Sequence, residues 1–270
     1  MAPIADAFGT AAAPAANPLV VVKELDFTTD ITTLDMSAGP GTYTLNDAAG
    51  SAKATIIVGT DVSGGAVTYT TLEVSGSDGL QVEVTASASN KNFYLAIELP
   101  ATSDIDKDCV MLEYVIDSMA FGSGSGLCQA QFYLSQANSN RGQPAYGLMI
   151  ARNSGDSQSE YKTQRNYGGS ATRSSAAIVA GAVEAAQHIQ IVAQNKGAQI
   201  YRDNGTAFAD PYSVTTFAGD TGTRTWGATR PSGNTWTTPY ASHFSYLAGS
   251  GDTISFNIKK IRLCKFSPSS

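Results

Sequence analysis

The chain has 270 residues, of which 42% are hydrophobic and only 15% are charged, and its formal net charge is −6. This low charge content, together with abundant glycine, serine and threonine, favours strands and turns over exposed amphipathic helices, and the length suits one large all-β domain. The negative charge argues against a nucleic-acid partner. No stretch approaches the roughly 18 apolar residues of a membrane span, so no membrane partner is expected either.

Residues 1–19 are rich in alanine and proline and predict an extended arm. Proline offers no backbone donor, so the segment cannot build a strand ladder, and Pro14 and Pro18 hold it partly extended. Ile4 and Phe8 are its sizeable apolar side chains, and we expect them to insert into grooves on a neighbouring subunit. The alternative is a flexible tail. The segment lacks the basic start and apolar stretch of a secretory signal, so synthesis in a host cytoplasm without export is expected.

Residues 20–270 predict a single β-sandwich domain, because no internal repeat and no clear linker divides them. Short stretches with strand-like alternation follow one another between glycine-rich breaks, at a spacing typical of sandwiches. The expected strands are residues 20–27, 42–45, 54–58, 67–74, 80–85, 93–99, 110–117, 128–134 and 146–151.

Three stretches carry more particular expectations. In the strand at 128–134 every second residue is polar, which predicts a central strand with one solvated face. Residues 152–167 predict a polar loop. Residues 176–186 are rich in alanine and form the one stretch that predicts a helix, which Gly181 would weaken.

Residues 187–205 predict a β-hairpin around which the sheet is organised. Apolar and polar residues alternate on both sides of the short turn Asn195-Lys196-Gly197, where Asn and Gly tolerate the positive φ of a tight hairpin. From this and the neighbouring strands we expect six side chains to be buried between two sheets: Ile189, Ile191, Phe132, Leu134, Leu112 and Ile116.

The hairpin resembles the laminin-G-like and concanavalin-A-like jelly rolls, in which a strand of the type His-x-Ile-x-Ile leads through a glycine turn to a Tyr-x-Asp-Gly end. Here that end is Tyr201-Arg202-Asp203-Asn204-Gly205, one residue longer. Residues 256–263 are similar to the closing strand of that family, which returns beside the N-terminal strand. The resemblance implies a two-sheet antiparallel β-sandwich that serves as a lectin, a glycan hydrolase or lyase, or an interaction module.

Candidate catalytic residues are not found at productive spacings. Glycosidases of this fold pair acids at i and i+2, whereas the nearest acids here, Glu113 and Asp117, lie four residues apart on one strand face. That spacing corresponds to roughly 13 Å, beyond the roughly 5–9.5 Å of hydrolytic carboxylate pairs. His188 and His243 fit neither a metal-ligand spacing nor a nucleophile elbow. We therefore expect no enzyme activity, no cofactor and no metal site.

Residues 217–246 carry aromatic side chains among glycine, threonine and serine. Aromatic groups with a polar rim suit sugar stacking or a protein interface, so Trp226, Trp236 and Tyr240 are the candidate glycan or interface residues. The alternative is a long loop that folds its aromatic side chains back onto the sandwich.

Three features together predict a virion structural protein of a tailed bacteriophage. They are the extended arm, the all-β composition and the lack of candidate catalytic residues at productive spacings. It would be a capsid decoration, cement or surface-appendage subunit at the virion surface, attached through the arm. The expected partners are capsid or tail proteins and further copies of the chain. The alternative is a glycan-binding module for attachment to a host glycan or another surface, and the third reading is a polysaccharide-degrading enzyme.

Overall fold

The computed structural model describes residues 19–59, 67–100, 110–122, 126–135, 145–153, 158–167, 170–173, 177–180, 186–194, 197–203 and 239–266. These residues form strands and one short 3-10 turn, Gly76–Asp78. The strands are β1 (Leu19–Asp26), β2 (Leu34–Asp35), β3 (Gly41–Asn46), β4 (Ala52–Gly59), β5 (Thr68–Ser75), β6 (Gly79–Thr85), β7 (Lys91–Glu98), β8 (Val110–Phe121), β9 (Leu127–Ser135), β10 (Ala145–Asn153), β11 (Gln158–Tyr167), β12 (Ser170–Arg173), β13 (Ala177–Ala180), β14 (Gln187–Gln194), β15 (Gly197–Asp203), β16 (Tyr240–Leu247) and β17 (Thr253–Phe266).

The strands build two antiparallel sheets. Sheet A has eight strands in the order β15-β14-β8-β17-β6-β5-β2, with β1 also paired to β17. Sheet B has nine strands in the order β12-β11-β10-β9-β16-β7-β4-β3, with β13 also paired to β11. The fold is therefore the two-sheet antiparallel β-sandwich implied by the jelly-roll resemblance, and the expected fold class is confirmed.

One hydrophobic core fills the space between the sheets. Alternate residues of each strand point into it, because side chains alternate across a strand. All six side chains expected there are buried in one cluster: Leu112, Ile116, Phe132, Leu134, Ile189 and Ile191. The hairpin at 187–205 is also confirmed, since β14 pairs with β15 in register from His188↔Asp203 to Gln194↔Gly197.

Strand β17 lies at the centre of sheet A. It pairs with β8 along almost its whole length, from Ile254↔Phe121 to Lys265↔Val110. On its other side β6 pairs with the first half and β1 with the second half. The closing strand thus returns beside the N-terminal strand, as the resemblance implies.

Two polar side chains lie within the apolar core. Tyr114 of sheet A donates a hydrogen bond across the core to the Tyr133 carbonyl at 2.6 Å and contacts the Ser242 carbonyl at 3.2 Å. His243 of β16 packs against Phe132 and Phe256, with ring centroids 4.7 and 4.3 Å away. Tyr114 therefore ties the two sheets together by a polar contact.

Three local expectations are corrected. Residues Ala177–Ala180 form β13 rather than a helix, because Ile178 and Val179 lie in a strand paired with β11 and β-branched residues favour that setting. Most of the expected polar loop at 152–167 is the strand β11, which pairs with β10. The outer face of β9 is not solvated, since Gln129, Gln131 and Tyr133 are all buried.

Candidate functional site

The outer face of sheet B carries a cluster of aromatic and amide side chains near its centre. We call it the aromatic–amide patch and define it by Tyr94 of β7, Gln129, Gln131 and Tyr133 of β9, and Tyr240, Ser242, Phe244 and Tyr246 of β16. Its floor residues Gln131, Tyr133 and Phe244 are 1%, 6% and 4% exposed, whereas Tyr94, Tyr240, Ser242 and Tyr246 are half-buried.

Strand alternation and register explain why these residues meet. On β9 the residues Cys128, Ala130, Phe132 and Leu134 enter the core, which turns the intervening Gln129, Gln131 and Tyr133 outward. In the register of β16, Phe244 lies opposite Gln131 on one side and opposite Tyr94 on the other. Three strands that are distant in sequence thus place their polar and aromatic residues in adjacent rows.

Hydrogen bonds along β9 fix the orientation of the amides. The Tyr133 hydroxyl donates to Gln131 Oε1, and Gln131 Nε2 donates to Gln129 Oε1 at 3.1 Å. Across the strands, the Ser135 and Ser242 hydroxyl oxygens lie 2.7 Å apart. The floor of the patch is therefore a network of neutral donors and acceptors with defined directions.

Two small residues, Ala96 and Ser242, face each other across β7 and β16 at the centre of the patch. Ala96 is 1% exposed, and Ser242 is half-buried. A Cβ added at Gly59 would lie 2.4 Å from the Tyr94 ring, and a Cβ added at Gly147 would lie 2.3 Å from the Tyr133 ring. The two glycines thus accommodate these rings.

The outward positions 129 and 131 of β9 hold glutamines and not acids. An amide donates and accepts hydrogen bonds but cannot supply or take up a proton as a carboxyl group does. Among the described residues of the four central strands β7, β16, β9 and β10, the one acid on this face is Glu98, at the exposed end of β7. The patch can therefore recognise hydroxyl-rich ligands but lacks a carboxylate pair.

The outer face of sheet A carries a charged cluster, made of Glu113, His188, Gln190 and Arg262. Glu113 Oε1 lies 2.6 Å from His188 Nε2 and accepts a longer bond of 3.4 Å from Gln190 Nε2. Its other oxygen accepts 2.7 and 2.5 Å contacts from Arg262 Nε and Nη2. Both carboxylate oxygens are thus occupied by neighbouring side chains.

Glu113 is only 1% exposed, although it lies on the outer face of sheet A. Burial by itself would raise the pKa of Glu113, but the hydrogen bond from His188 and the charge of Arg262 outweigh it and hold the pKa below its ordinary value. Asp117 is exposed and lies 3.5 Å from Lys259. The two acids of one strand face therefore occupy unlike environments.

Two buried thiols and one buried histidine elsewhere in the described residues are neutral. Burial raises the pKa of the Cys128 thiol to about 12, with nearby Asp252 adding to the shift, and burial raises that of Cys264 to about 11. Both cysteines are free and buried. Burial lowers the pKa of His243 to about 3, so this histidine is an uncharged core residue. None of these groups has the exposure that a reactive site requires.

Of the predicted site residues, Tyr240 is described, and it belongs to the patch. It lies between Glu98 and Ser135 in the register of β16, and burial, with Glu98 as the smaller cause, raises its pKa. Trp226, Trp236 and the arm residues Ile4, Phe8, Pro14 and Pro18 lie outside the described residues. The sequence pattern does not single out Tyr94, Gln129, Gln131 or Tyr133, because alternation along β7 and β9 indicates a shared face and not whether other residues bury it.

The described residues contain neither a metal-binding cluster nor a membrane-spanning helix. No group of three or more histidine, cysteine, aspartate or glutamate residues in this part of the chain has a geometry that could hold a metal ion. The same residues contain no helix with the length and apolar character to span a bilayer.

No protein-family model matches the chain, and no curated protein matches it in sequence. Among solved structures, it is similar to the CBM2 module of the evolved Dit of Lactobacillus casei BL23 phage J-1, with 12% identity over 93% of this chain and 97% of that chain and a TM-score of 0.48. A legume lectin-like domain from Entamoeba histolytica has 12% identity, coverage of 76% and 88%, and a TM-score of 0.41. A beta-1,3-glucanase from Mycobacterium marinum has 13% identity, coverage of 90% and 98%, and a TM-score of 0.37. Because these TM-scores are below 0.5, the fold assignment rests on the two sheets themselves.

Proposed function

We propose that the protein binds carbohydrate at the aromatic–amide patch and does not hydrolyse it. The observation that carries this proposal is the row of half-buried aromatic and hydroxyl side chains, Tyr94, Tyr240, Ser242 and Tyr246, beside the oriented amides of β9. Sugars present hydroxyl groups along their edges and C–H groups on their faces. Amides and hydroxyls match the former, and aromatic rings pack against the latter.

The proposal of binding without hydrolysis is supported by the chemistry of β9. Glutamines occupy the outward positions 129 and 131, and Glu98 is a single acid at the edge of the patch. Hydrolysis of a glycosidic bond needs two carboxyl groups with different protonation states on either side of the bond. A bound sugar would therefore be held but not cleaved, and incubation with polysaccharides should release no new reducing ends.

The test places a large side chain at the centre of the patch. Ser242→Phe places a ring where the sugar would lie, while the Ser242 carbonyl that contacts Tyr114 is retained. Ser255→Phe is the matched control, because Ser255 is also a half-buried serine, placed on the outer face of sheet A. On a glycan array and in titrations with its hits, Ser242→Phe should lose binding at least tenfold and Ser255→Phe should not.

Both variants should keep the wild-type melting temperature within a few degrees, which separates lost binding from lost folding. The proposal would be wrong if the wild-type protein bound no glycan, or if Ser242→Phe bound as tightly as the wild type.

The virion structural role is a second proposal, and one feature of sheet A favours it. Among the described strands β1 has a neighbour on one side, β17, and its first residues Val20 and Val21 are 39% and 48% exposed. These valines directly follow the arm of residues 1–19. A free strand edge with exposed apolar side chains gains stability when another chain covers it. Attachment to a capsid or tail protein would provide that cover.

Deletion of residues 2–18 tests this second role independently of the patch. If the arm and the adjacent edge attach the protein, incorporation into particles or homo-oligomers should fall sharply while glycan binding and the melting temperature remain. Unchanged incorporation would mean that another surface makes the attachment.

A further inference from the structure

We infer that the aromatic–amide patch takes an unbranched stretch of glycan that lies along strand β16, and not a single sugar or a branch point. This ligand shape rests on the proposed carbohydrate-binding function and adds to it the class of glycan and its direction on the sheet. The outward positions of β16 are 240, 242, 244 and 246, and they form one row because side chains alternate along a strand. The side chains around this row differ in how far they are buried, and that difference fixes the shape of the accessible surface.

Buried residues bound the row on both sides at two of its positions. Ser242 is half-buried and lies between Ala96 of β7 and Tyr133 of β9, which are both buried. Tyr246 is also half-buried, and its neighbours on β7 and β9 are again buried. Beside both residues the accessible side-chain surface therefore continues along the strand and not across the sheet.

At the other two positions the accessible surface remains narrow. Phe244 is buried, but Tyr94, which lies opposite it on β7, is half-buried and fills the third position of the row. Tyr240, the first position, is half-buried, and the exposed Glu98 beside it widens the row at this end. The accessible side chains thus form a line about one residue wide. From Tyr240 to Tyr246 it is about 20 Å long, since each residue of a strand advances about 3.3 Å.

A line of this shape matches a narrow and extended ligand. Tyrosine rings lie at both ends and at the third position, where they can pack against the C–H groups of sugar rings. The Ser242 hydroxyl lies between them and can donate and accept hydrogen bonds with sugar hydroxyls. A single sugar would reach one end only, and a branch beside Ser242 would meet buried neighbours. Each further unit of an unbranched chain, in contrast, adds contact along β16.

The first test is a chain-length series on the wild-type protein. Unbranched gluco-, galacto-, manno- and galacturono-oligosaccharides, from the monosaccharide to the hexasaccharide, are titrated against it. For a series that binds, the affinity should rise by about tenfold or more from the disaccharide to the longest chain, since only a long chain contacts both ends of the line. An affinity that already reaches its full value at the disaccharide would overturn the inference and leave the carbohydrate-binding function intact.

Three variants test the direction of the chain. Tyr240→Ala and Tyr246→Ala each remove the ring at one end, and each should lower the affinity for the hexasaccharide severalfold. At least one of them should leave the disaccharide affinity unchanged, because a disaccharide cannot span both ends. Ile57→Ala is the control, since Ile57 is a half-buried residue on the outer face of β4, opposite Ala96, where a chain that crossed the strands would pass. It should leave every affinity unchanged.

Circular dichroism of each variant establishes whether it is folded, and the wild-type length series decides the matter if a tyrosine variant is not. Hexasaccharide binding that neither tyrosine variant weakens would overturn the inference. A loss with Ile57→Ala as large as that with Tyr240→Ala would also overturn it, because the ligand would then cross the strands, but the proposed function would stand. Failure of the wild type to bind any probe on a broad glycan array would overturn the proposed function, and the inference with it.

Discussion

The outer faces of the two sheets bury polar side chains in different ways. On sheet A the polar groups surround a buried ion, since Glu113 has both oxygens occupied by His188, Gln190 and Arg262. On sheet B they are amides, hydroxyls and aromatic rings, which are joined by neutral hydrogen bonds. Charges that satisfy one another hold strands together but leave little capacity for a ligand. Neutral hydroxyl and aromatic groups that are half-buried, such as those of Tyr94, Tyr240 and Ser242, keep such capacity, so sheet B carries the candidate site.

The comparison predicts that sheet A depends strongly on its buried charges. Arg262→Met should leave Glu113 as a buried carboxylate without its cation and cost about 3–5 kcal/mol of unfolding free energy. Lys260→Met removes a cation two residues away on the same strand, where its partners Glu24 and Asp26 are partly exposed, and should cost less than about 1 kcal/mol. Urea denaturation measures both.

The double variant Arg262→Met with Glu113→Gln should recover part of the lost stability, because neither charge is then buried alone. Similar losses for Arg262→Met and Lys260→Met, or no recovery in the double variant, would show that the cluster is not the electrostatic unit described here.

The second prediction concerns how acid lowers the stability of the fold through His243, which lies on the sheet B side of the core. Burial lowers the pKa of His243 from 6.5 to about 3, so the folded protein holds the neutral imidazole while the unfolded chain binds a proton near the ordinary value. The contribution of the neutral His243 imidazole to the free energy of unfolding is therefore fully present above about pH 6.5. It decreases as the pH falls towards about 3. Between about pH 7 and about pH 5 the loss should be on the order of 2 kcal/mol.

His243→Gln cannot titrate and should flatten this dependence. The lowered pKa of Glu113 affects stability only below its ordinary value of 4.5, outside that range. A pH profile of His243→Gln that parallels the wild type would contradict the assignment.

The smallest predicted effect concerns the polar contact between the sheets. Tyr114→Phe removes the hydroxyl that reaches the Tyr133 and Ser242 carbonyls and should cost about 1–2 kcal/mol. Tyr246→Phe removes a hydroxyl that bonds Asn90 at the protein surface, and it should cost less than about 0.5 kcal/mol. Thermal melts of the two variants measure the difference. Equal decreases in melting temperature would mean that the contact across the core contributes no more to stability than a surface hydrogen bond.

Sequence periodicity predicted the strands and the core, because β8, β9 and β14 alternate clearly and one face of each is apolar. It did not predict β11 and β13, whose polar or alanine-rich sequences become strands through pairing with each other and, for β11, with β10. Tertiary pairing overrides weak local preference in such stretches.

The sites were harder to predict than the fold. The alternation of apolar and polar residues along a strand indicates which residues share a face. It does not indicate whether that face is buried or which strand lies alongside. Glu113, His188 and Arg262 meet only because β8 lies between β14 and β17. Gln131, Phe244 and Tyr94 meet only because β16 lies between β9 and β7. Register between strands distant in sequence is the information that the sequence pattern lacks.

The central position of β17 has a consequence for how the protein folds. Its pairs, such as Val110↔Lys265, join residues far apart in the sequence, so a long loop must close before sheet A can form. Such topologies fold slowly, and their intermediates expose strand edges that pair with other chains. Until β17 is in place, β8, β6 and β1 each present an unpaired edge at the same time. Fragments that end before Thr253 should therefore aggregate, and refolding yield should depend on protein concentration more than on the composition of either outer face.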